Sequence, residues 1–140
     1  MSEAARSDLP GRVRSFLSAE RFAVAGASDD PAKFGHRCYA ALLRNGYAVY
    51  PVNPRATEVL GNPTFPDLAS LPEPVQSLSI VTPPPVTEQV VEQAIRAGVR
   101  SVWMQPGAES AAAVRRAEEA GLEVISGGPC LLVALASGRV

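Results

Sequence analysis

The sequence predicts an α/β fold of three layers, with a mostly parallel sheet of about five strands between helices. Three observations lead there. A helix–glycine–strand junction recurs at Asn45-Gly46-Tyr-Ala-Val-Tyr50, Ala97-Gly98-Val-Arg-Ser-Val102 and Ala120-Gly121-Leu-Glu-Val-Ile125. A glycine just past a helix takes the left-handed backbone that ends it at little cost, and repeated junctions of this kind imply β-α-β units and parallel pairing. Several of the strands are continuous apolar runs rather than alternating ones, as expected where both sheet faces are covered. Finally, the apolar run Phe22–Ala25 passes directly into a turn of small residues ahead of a helix.

Taken in order, the first helix lies around Gly11 to Ala19, using Val13, Phe16 and Leu17, and is expected to pack across one edge. The strands are Phe22–Ala25, Ala48–Val52, Ser77–Val81, Ser101–Met104 and Glu123–Ile125. Between them, Cys38, Tyr39, Leu42 and Leu43 mark one helical face, and Val90, Val91, Ala94 and Ile95 mark another, with Thr87 as its expected N-cap. Ala113, Val114, Ala117 and Ala120 form a small-residue stripe suited to close packing on a sheet. Pro83-Pro84-Pro85 is expected to start a helix and stiffen the loop before it. From Arg55 to Pro74 the rhythm breaks: the stretch is rich in Pro and Gly, holds Val59-Leu60 and Thr64-Phe65, and reads as a loop region with a short strand or helical turn near Asp67–Leu71. The apolar tail Leu131–Ala136 is expected to be a helix that closes the core, with dimerisation as the other use of such a surface.

The bulk composition narrows the function classes. The chain has 140 residues, 46% hydrophobic and 19% charged, with a formal net charge of −1. That length suits one domain, residues 1–140 with a core from about Val13 to Cys130, large enough to need no covalent staples. The charge gives no general attraction to nucleic acid or acidic lipid. No apolar run reaches the roughly 20 residues of a membrane helix, and Met1 to Asp8 carries no signal-type stretch. A cytoplasmic, reducing location is expected. Cys38 and Cys130 have no metal-ligand spacing, and a disulfide between them is not expected there.

The segment Gly26-Ala-Ser-Asp-Asp-Pro-Ala-Lys-Phe-Gly35 carries the most information. Small residues let a backbone approach a ligand, a helix N-terminus offers unpaired N–H groups to an anion, and a lysine there suits phosphate. In parallel sheets ligands bind at the carboxyl ends of the strands. The other loops at that edge are Asn53-Pro-Arg55, Thr82-Pro-Pro-Pro85, Gln105-Pro-Gly107 and Ser126-Gly-Gly-Pro-Cys130. A dinucleotide turn usually reads Gly-x-Gly-x-x-Gly with an acid about 20 residues on. Here Ser28 takes the second glycine's place, Lys33 enters the helix start, and Val52-Asn53-Pro54 stands where the acid belongs. These features favour a ligand with several phosphates, against the plainer reading of Lys33 as a solvated lysine.

Asp29 and Asp30 are expected to cap the helix rather than act as a carboxylate pair. His36 reads as a helix-surface or capping residue, Trp103 as core, and Cys130 as a structural thiol rather than a reactive one. No Ser-His-Asp set, metal cluster or acid–base pair stands out.

With the Gly26–Gly35 motif, Gly46-Tyr-Ala-Val-Tyr-Pro-Val-Asn-Pro54 and Trp103-Met-Gln-Pro-Gly107, the chain resembles the stand-alone CoA-binding domain family. It is similar in turn to the N-terminal CoA-binding domain of the succinyl-CoA synthetase α subunit. The resemblance runs from about Val13 to Cys130 and implies a Rossmann-like fold binding coenzyme A, or an acyl-CoA, at the carboxyl edge. It implies that Gly26, Ala27, Ser28 and Lys33 meet the CoA phosphates. Val52, Asn53 and Pro54 would flank the adenosine with Thr82 and Pro83 opposite, and Gln105 and Gly107 would lie near the pantetheine arm. Two departures stand out. Ser126-Gly-Gly-Pro-Cys130 keeps only the cysteine of the Asp-Arg-Cys ending common in the family, and the synthetase's phosphohistidine domain has no counterpart. The expected function is therefore non-catalytic CoA binding, as a sensor, carrier or regulatory partner. An NAD(P)-binding redox protein and a ligand-independent interaction subunit remain as alternatives.

Overall fold

The computed structural model describes residues 8–136. Five strands, β1 (Arg21–Ala25), β2 (Ala48–Val52), β5 (Ser77–Ile80), β6 (Ser101–Met104) and β7 (Glu123–Ile125), form one sheet in the order β2-β1-β5-β6-β7. Every neighbouring pair is parallel. Two very short strands, β3 (Glu58–Val59) and β4 (Asn62–Pro63), make a separate antiparallel hairpin in the stretch that reads as loop from sequence. A 3₁₀ turn at Leu68–Ser70 follows, capped by Asp67 Oδ1 accepting from Ser70 N at 3.0 Å.

Among the described residues, five helices cover the sheet. α1 (Leu9–Leu17) starts two residues earlier than its sequence pattern suggests, because Asp8 accepts from Gly11 N at 3.0 Å and caps it. α2 (Phe34–Arg44) and α5 (Leu131–Ala136) share its layer, and Val13, Phe16, Cys38, Tyr39, Leu42, Leu131 and Leu135 pack with Phe22, Val24, Trp103 and Ile125. On the opposite face α3 (Pro84–Ala97) and α4 (Ala111–Glu119) place Val90, Val91, Ala94, Ala113 and Ala117 against Ala23, Ala25, Leu78, Ile80, Val102 and Met104. Alternate residues of each strand thus feed two cores, which is why the strands read as unbroken apolar runs. The junction glycines Gly46, Gly98 and Gly121 all have left-handed φ, +84°, +80° and +88°.

Some sequence expectations shift in three dimensions. Thr87 is not an N-cap. α3 begins a turn earlier, with Pro83 at the cap position and Pro84 and Pro85 opening the helix. Proline has no N–H to leave orphaned, so no side-chain cap is needed there. The Thr87 hydroxyl instead bonds Thr82 Oγ1 at 2.8 Å and ties the helix to the loop after β5. Leu43 and Ala120 lie at the margins of their stripes and are exposed. α1 lies on a sheet face rather than across an edge: Arg12 Nη1 donates to Val124 O at 2.8 Å, and Ser77 Oγ to Phe16 O at 2.7 Å.

Trp103 is fully buried, edge-on to Phe16 at 5.2 Å, and its indole N–H donates to Pro129 O at 3.0 Å. Trp103→Ala should cost about 3–5 kcal/mol by denaturant titration, the range for deleting a buried aromatic side chain.

Candidate functional site

The site begins where β1 ends. Gly26 has φ +95°, and a Cβ there would lie 2.7 Å from Val81 O. Gly35, in the first turn of α2, is tighter still: its Cβ would lie 2.0 Å from Gly26 O. The turn after β1, the start of α2 and the loop after β5 therefore meet backbone to backbone, which only glycine allows. Within the turn, Ser28 Oγ accepts from Asp30 N at 3.1 Å, Asp30 Oδ1 from Ala32 N at 2.9 Å, and Asp30 O from Lys33 N at 3.0 Å. His36 Nδ1 donates to Ser28 O at 2.9 Å, so the one histidine braces the turn from the helix.

Neither aspartate caps α2. Asp30 closes its own turn, and Asp29 Oδ1 accepts from Leu60 N at 2.9 Å, pinning the β3–β4 hairpin. The N-cap is Lys33, in extended backbone, with no side-chain cap bond. His36 N and Arg37 N donate to Lys33 O at 3.1 and 3.2 Å, and no side chain caps the remaining N–H groups of the first turn.

Asn53, just past β2, locks the second loop to the first. Its Nδ2 donates to Ala27 O at 2.7 Å while its Oδ1 accepts from Arg55 N at 2.8 Å. A carboxylate could accept from Arg55 N but could not donate to Ala27 O. The acid usual at this place in dinucleotide sites is thus incompatible with this loop pairing.

In sequence the chain leaves β1 toward β2 and returns to the other side as β5, so the loops after β1 and β5 diverge. Open parallel sheets bind ligands at such a reversal. A cleft of about 690 Å³ lies there, within the usual size of small-molecule sites. Of the residues singled out from sequence, Gly26, Ser28, Lys33, Asn53, Pro54, Thr82 and Pro83 line it. Four do not. Ala27 and Val52 are buried and back the wall. Gln105 is fully buried, its amide bridging Ser79 Oγ at 3.2 Å and Leu131 N at 2.9 Å, so it anchors α5 rather than facing a ligand. Gly107 is exposed but outside the cleft, its N–H held by Glu109. Both follow β6, which pairs with β5 and lies one strand further from the reversal. The loop Ser126–Cys130 also stays out of the cleft.

Phe34, Gly35, Arg55, Val81, Val86 and Gln89 complete the lining. Val86 and Gln89 lie on the first two turns of α3 and were not singled out from sequence, because neither residue type marks a ligand contact by itself. Arg55 had a signal: a cation three residues beyond the strand. The lining carries two cations, Lys33 and Arg55, and no acidic, histidine or cysteine side chain. The charge of the lining is therefore positive, carried on the loops after β1 and β2.

Both cysteines carry free thiols and stand apart from the cleft. Burial pushes the Cys38 thiol up to about 12, aided by Cys130 and opposed by a hydrogen bond from Ser79. The unfolded chain ionises this thiol near 9, and the folded state resists doing so. The Cys38 contribution to stability is therefore complete below pH 9 and is lost as pH rises toward 12. Urea midpoints should fall less steeply over that range in Cys38→Ala than in the parent chain.

Residues 20–136 match the family model described as CoA binding domain. The Pyrococcus furiosus acetate–CoA ligase (ADP-forming) II subunit alpha is 34% identical over 88 residues, 62% of this chain but 19% of that subunit. This chain therefore corresponds to about a fifth of that relative's length. The Bacillus subtilis protein YneT is 29% identical over 106 residues, covering 76% of this chain and 78% of that one. Among solved structures, a hypothetical protein from Pyrococcus horikoshii superposes with a TM-score of 0.88 at 31% identity, covering 98% of both chains. The dinucleotide-forming acetyl-coenzyme A synthetase 1 of Candidatus Korarchaeum cryptofilum reaches 0.69 at 32% identity over 76% of this chain and 25% of that one. With the family model spanning most of the fold and the lined cleft at the strand reversal, this chain belongs to the CoA-binding domain family.

Proposed function

We propose that the cleft binds CoA or an acyl-CoA and that the chain does no chemistry on it, serving as a sensor, carrier or regulatory partner. The observation that carries this reading is the lining: Lys33 and Arg55 on an uncapped helix start and the facing loop, with no acid among them. Backbone N–H groups and Ser28 would hold the pyrophosphate, Lys33 would pair with phosphate, and Pro54 and Pro83 would wall the adenosine. Family membership and likeness to acetate–CoA ligase segments support the ligand class. The lining holds no acidic, histidine or cysteine side chain, which supports binding without catalysis.

Calorimetric titration with CoA, acetyl-CoA, NADH and NADPH tests the reading. Micromolar CoA binding, weakened about tenfold in Lys33→Ala, is expected from a lysine–phosphate contact at a partly shielded helix start. Tight NADH binding without CoA binding would sink it. Absence of binding to all four would favour an interaction subunit that has kept the fold and lost the ligand.

A further inference from the structure

We infer that Cys38 and Cys130 form a reversible thiol–disulfide pair that, when oxidised by a peroxide, bolts α2 to the start of α5. The pair stands outside the cleft and needs no ligand in it. Cys38 and Leu131, the residue after Cys130, are fully buried in one apolar cluster. A run of polar contacts links them. Ser79 of β5 gives a hydrogen bond to Cys38. Gln105 Nε2 donates to Ser79 Oγ at 3.2 Å, and Gln105 Oε1 accepts from Leu131 N at 2.9 Å. Gln105 thus holds the residue after Cys130 beside the serine that Cys38 touches. The charge of Cys130 also reaches Cys38, a coupling that needs close approach.

Access differs between the two thiols. Cys38 is fully buried, whereas Cys130 is partly exposed. The backbone before Cys130 has room to adjust: Gly127 and Gly128 have φ +85° and +132°, with nothing within 4 Å of their Cβ positions. Peroxide therefore meets Cys130 first. The Cys130 sulfur takes one oxygen from the O–O bond, giving a sulfenic acid and one water. The Cys38 sulfur then attacks the sulfenic sulfur and gives its proton to the departing hydroxide, leaving the disulfide and a second water. Two thiols and one peroxide become one disulfide and two waters, and a dithiol reductant reverses the bond. Held protonated by burial, Cys38 resists peroxide itself and reacts only with a sulfenic sulfur delivered beside it. The bond fixes the helix whose first turn, Phe34 and Gly35, lines the cleft.

The test treats the full chain with hydrogen peroxide and follows its thiols by mass spectrometry. The parent should lose both free thiols and two hydrogens in mass within a single chain, and recover both thiols with dithiothreitol. In Cys38→Ala, Cys130 should stop at the sulfenic acid, trapped by dimedone, whereas Cys130→Ser should leave Cys38 unmodified. Against a glutathione couple, the disulfide should be favoured at least about tenfold more in the folded chain than in urea, and the oxidised chain should unfold at higher urea accordingly. Oxidation of Cys130 to the sulfinic acid with Cys38 still free overturns the inference, as does a disulfide joining two chains through Cys130. So does a glutathione equilibrium no more favourable in the folded chain than in urea, which would show that the fold does not hold the thiols together. The parent chain alone decides these three outcomes, so they stand even if Cys38→Ala fails to fold.

Discussion

Gly35→Ala should destabilise the fold by about 3 kcal/mol and abolish ligand binding, the upper end of what overpacking costs. The added Cβ would stand 2.0 Å from Gly26 O, which is backbone and cannot rotate aside. Relief requires α2 to lift or the turn after β1 to shift. Gly26 has no room either, since its own Cβ position lies 2.7 Å from Val81 O. Any shift therefore reaches the loop after β5, the opposite wall of the cleft. Urea denaturation gives the stability loss, and titration with CoA at a temperature where the variant is still folded gives the binding loss. A folded variant with unimpaired binding would show that the helix-to-turn contact does not set the site. Gly46→Ala is the control: nothing lies within 4 Å of its Cβ position, so it should lose stability through its φ of +84° but leave the folded cleft intact.

Asn53→Asp changes a single polar group and should weaken CoA binding about a hundredfold. Two effects add. The donor to Ala27 O is replaced by a carboxylate oxygen, so two acceptors face each other across what is now a 2.7 Å contact, leaving a partly buried carbonyl without its partner. A negative charge also enters a cleft whose lining has two cations and no acid, where it competes with the ligand's phosphates for Lys33 and Arg55. The sign of the pH response separates this from general damage. Facing a carbonyl, the new carboxyl is held above its ordinary range. Its protonated form can donate again, so binding should recover as pH falls, whereas a merely misfolded variant would not regain it. Asn53→Ala, which loses the clamp but adds no charge, should fall between the two and show no such recovery.

These variants touch the level at which the cleft is decided. Sequence periodicity defines strands and helices one at a time, but the cleft comes from the order β2-β1-β5-β6-β7. That order places the turns after β1 and β5 on either side of the reversal and leaves the loops after β6 and β7 further away. All five loops look alike as sequence, each with small residues, prolines or polar groups. Gln105 and Gly107, expected near the pantetheine arm, lie outside the cleft for this reason. Gln105 is a polar residue at the end of an apolar strand, which reads as a ligand contact, yet it is satisfied entirely inside the core by Ser79 and Leu131.

Other details were legible because their causes are local. A glycine after a helix needs no tertiary partner to justify it, and the three junction glycines fall at helix ends as expected. The five strands of the main sheet lie within a residue of their expected bounds, since burial on both faces leaves a continuous apolar run. For α3 the sequence carries two signals: the proline run marks its start correctly, and Thr87 reads as its cap but is not. Pro84 and Pro85 have no N–H to be capped, so the helix opens on them without a side-chain cap, a turn before Thr87.

The sequence by itself determined the parallel α/β architecture, the anion-suited turn from Gly26 to Gly35 and the absence of an acid after β2. Each is a property of a few adjacent residues and their backbone preferences. Only the tertiary structure decided which of five similar loops meet, why Asn53 cannot be an acid, and that Arg55 shares a cleft with Lys33. Those depend on the order in which the strands pair, and strand order is set by the packing of helices on two faces rather than by any local signal.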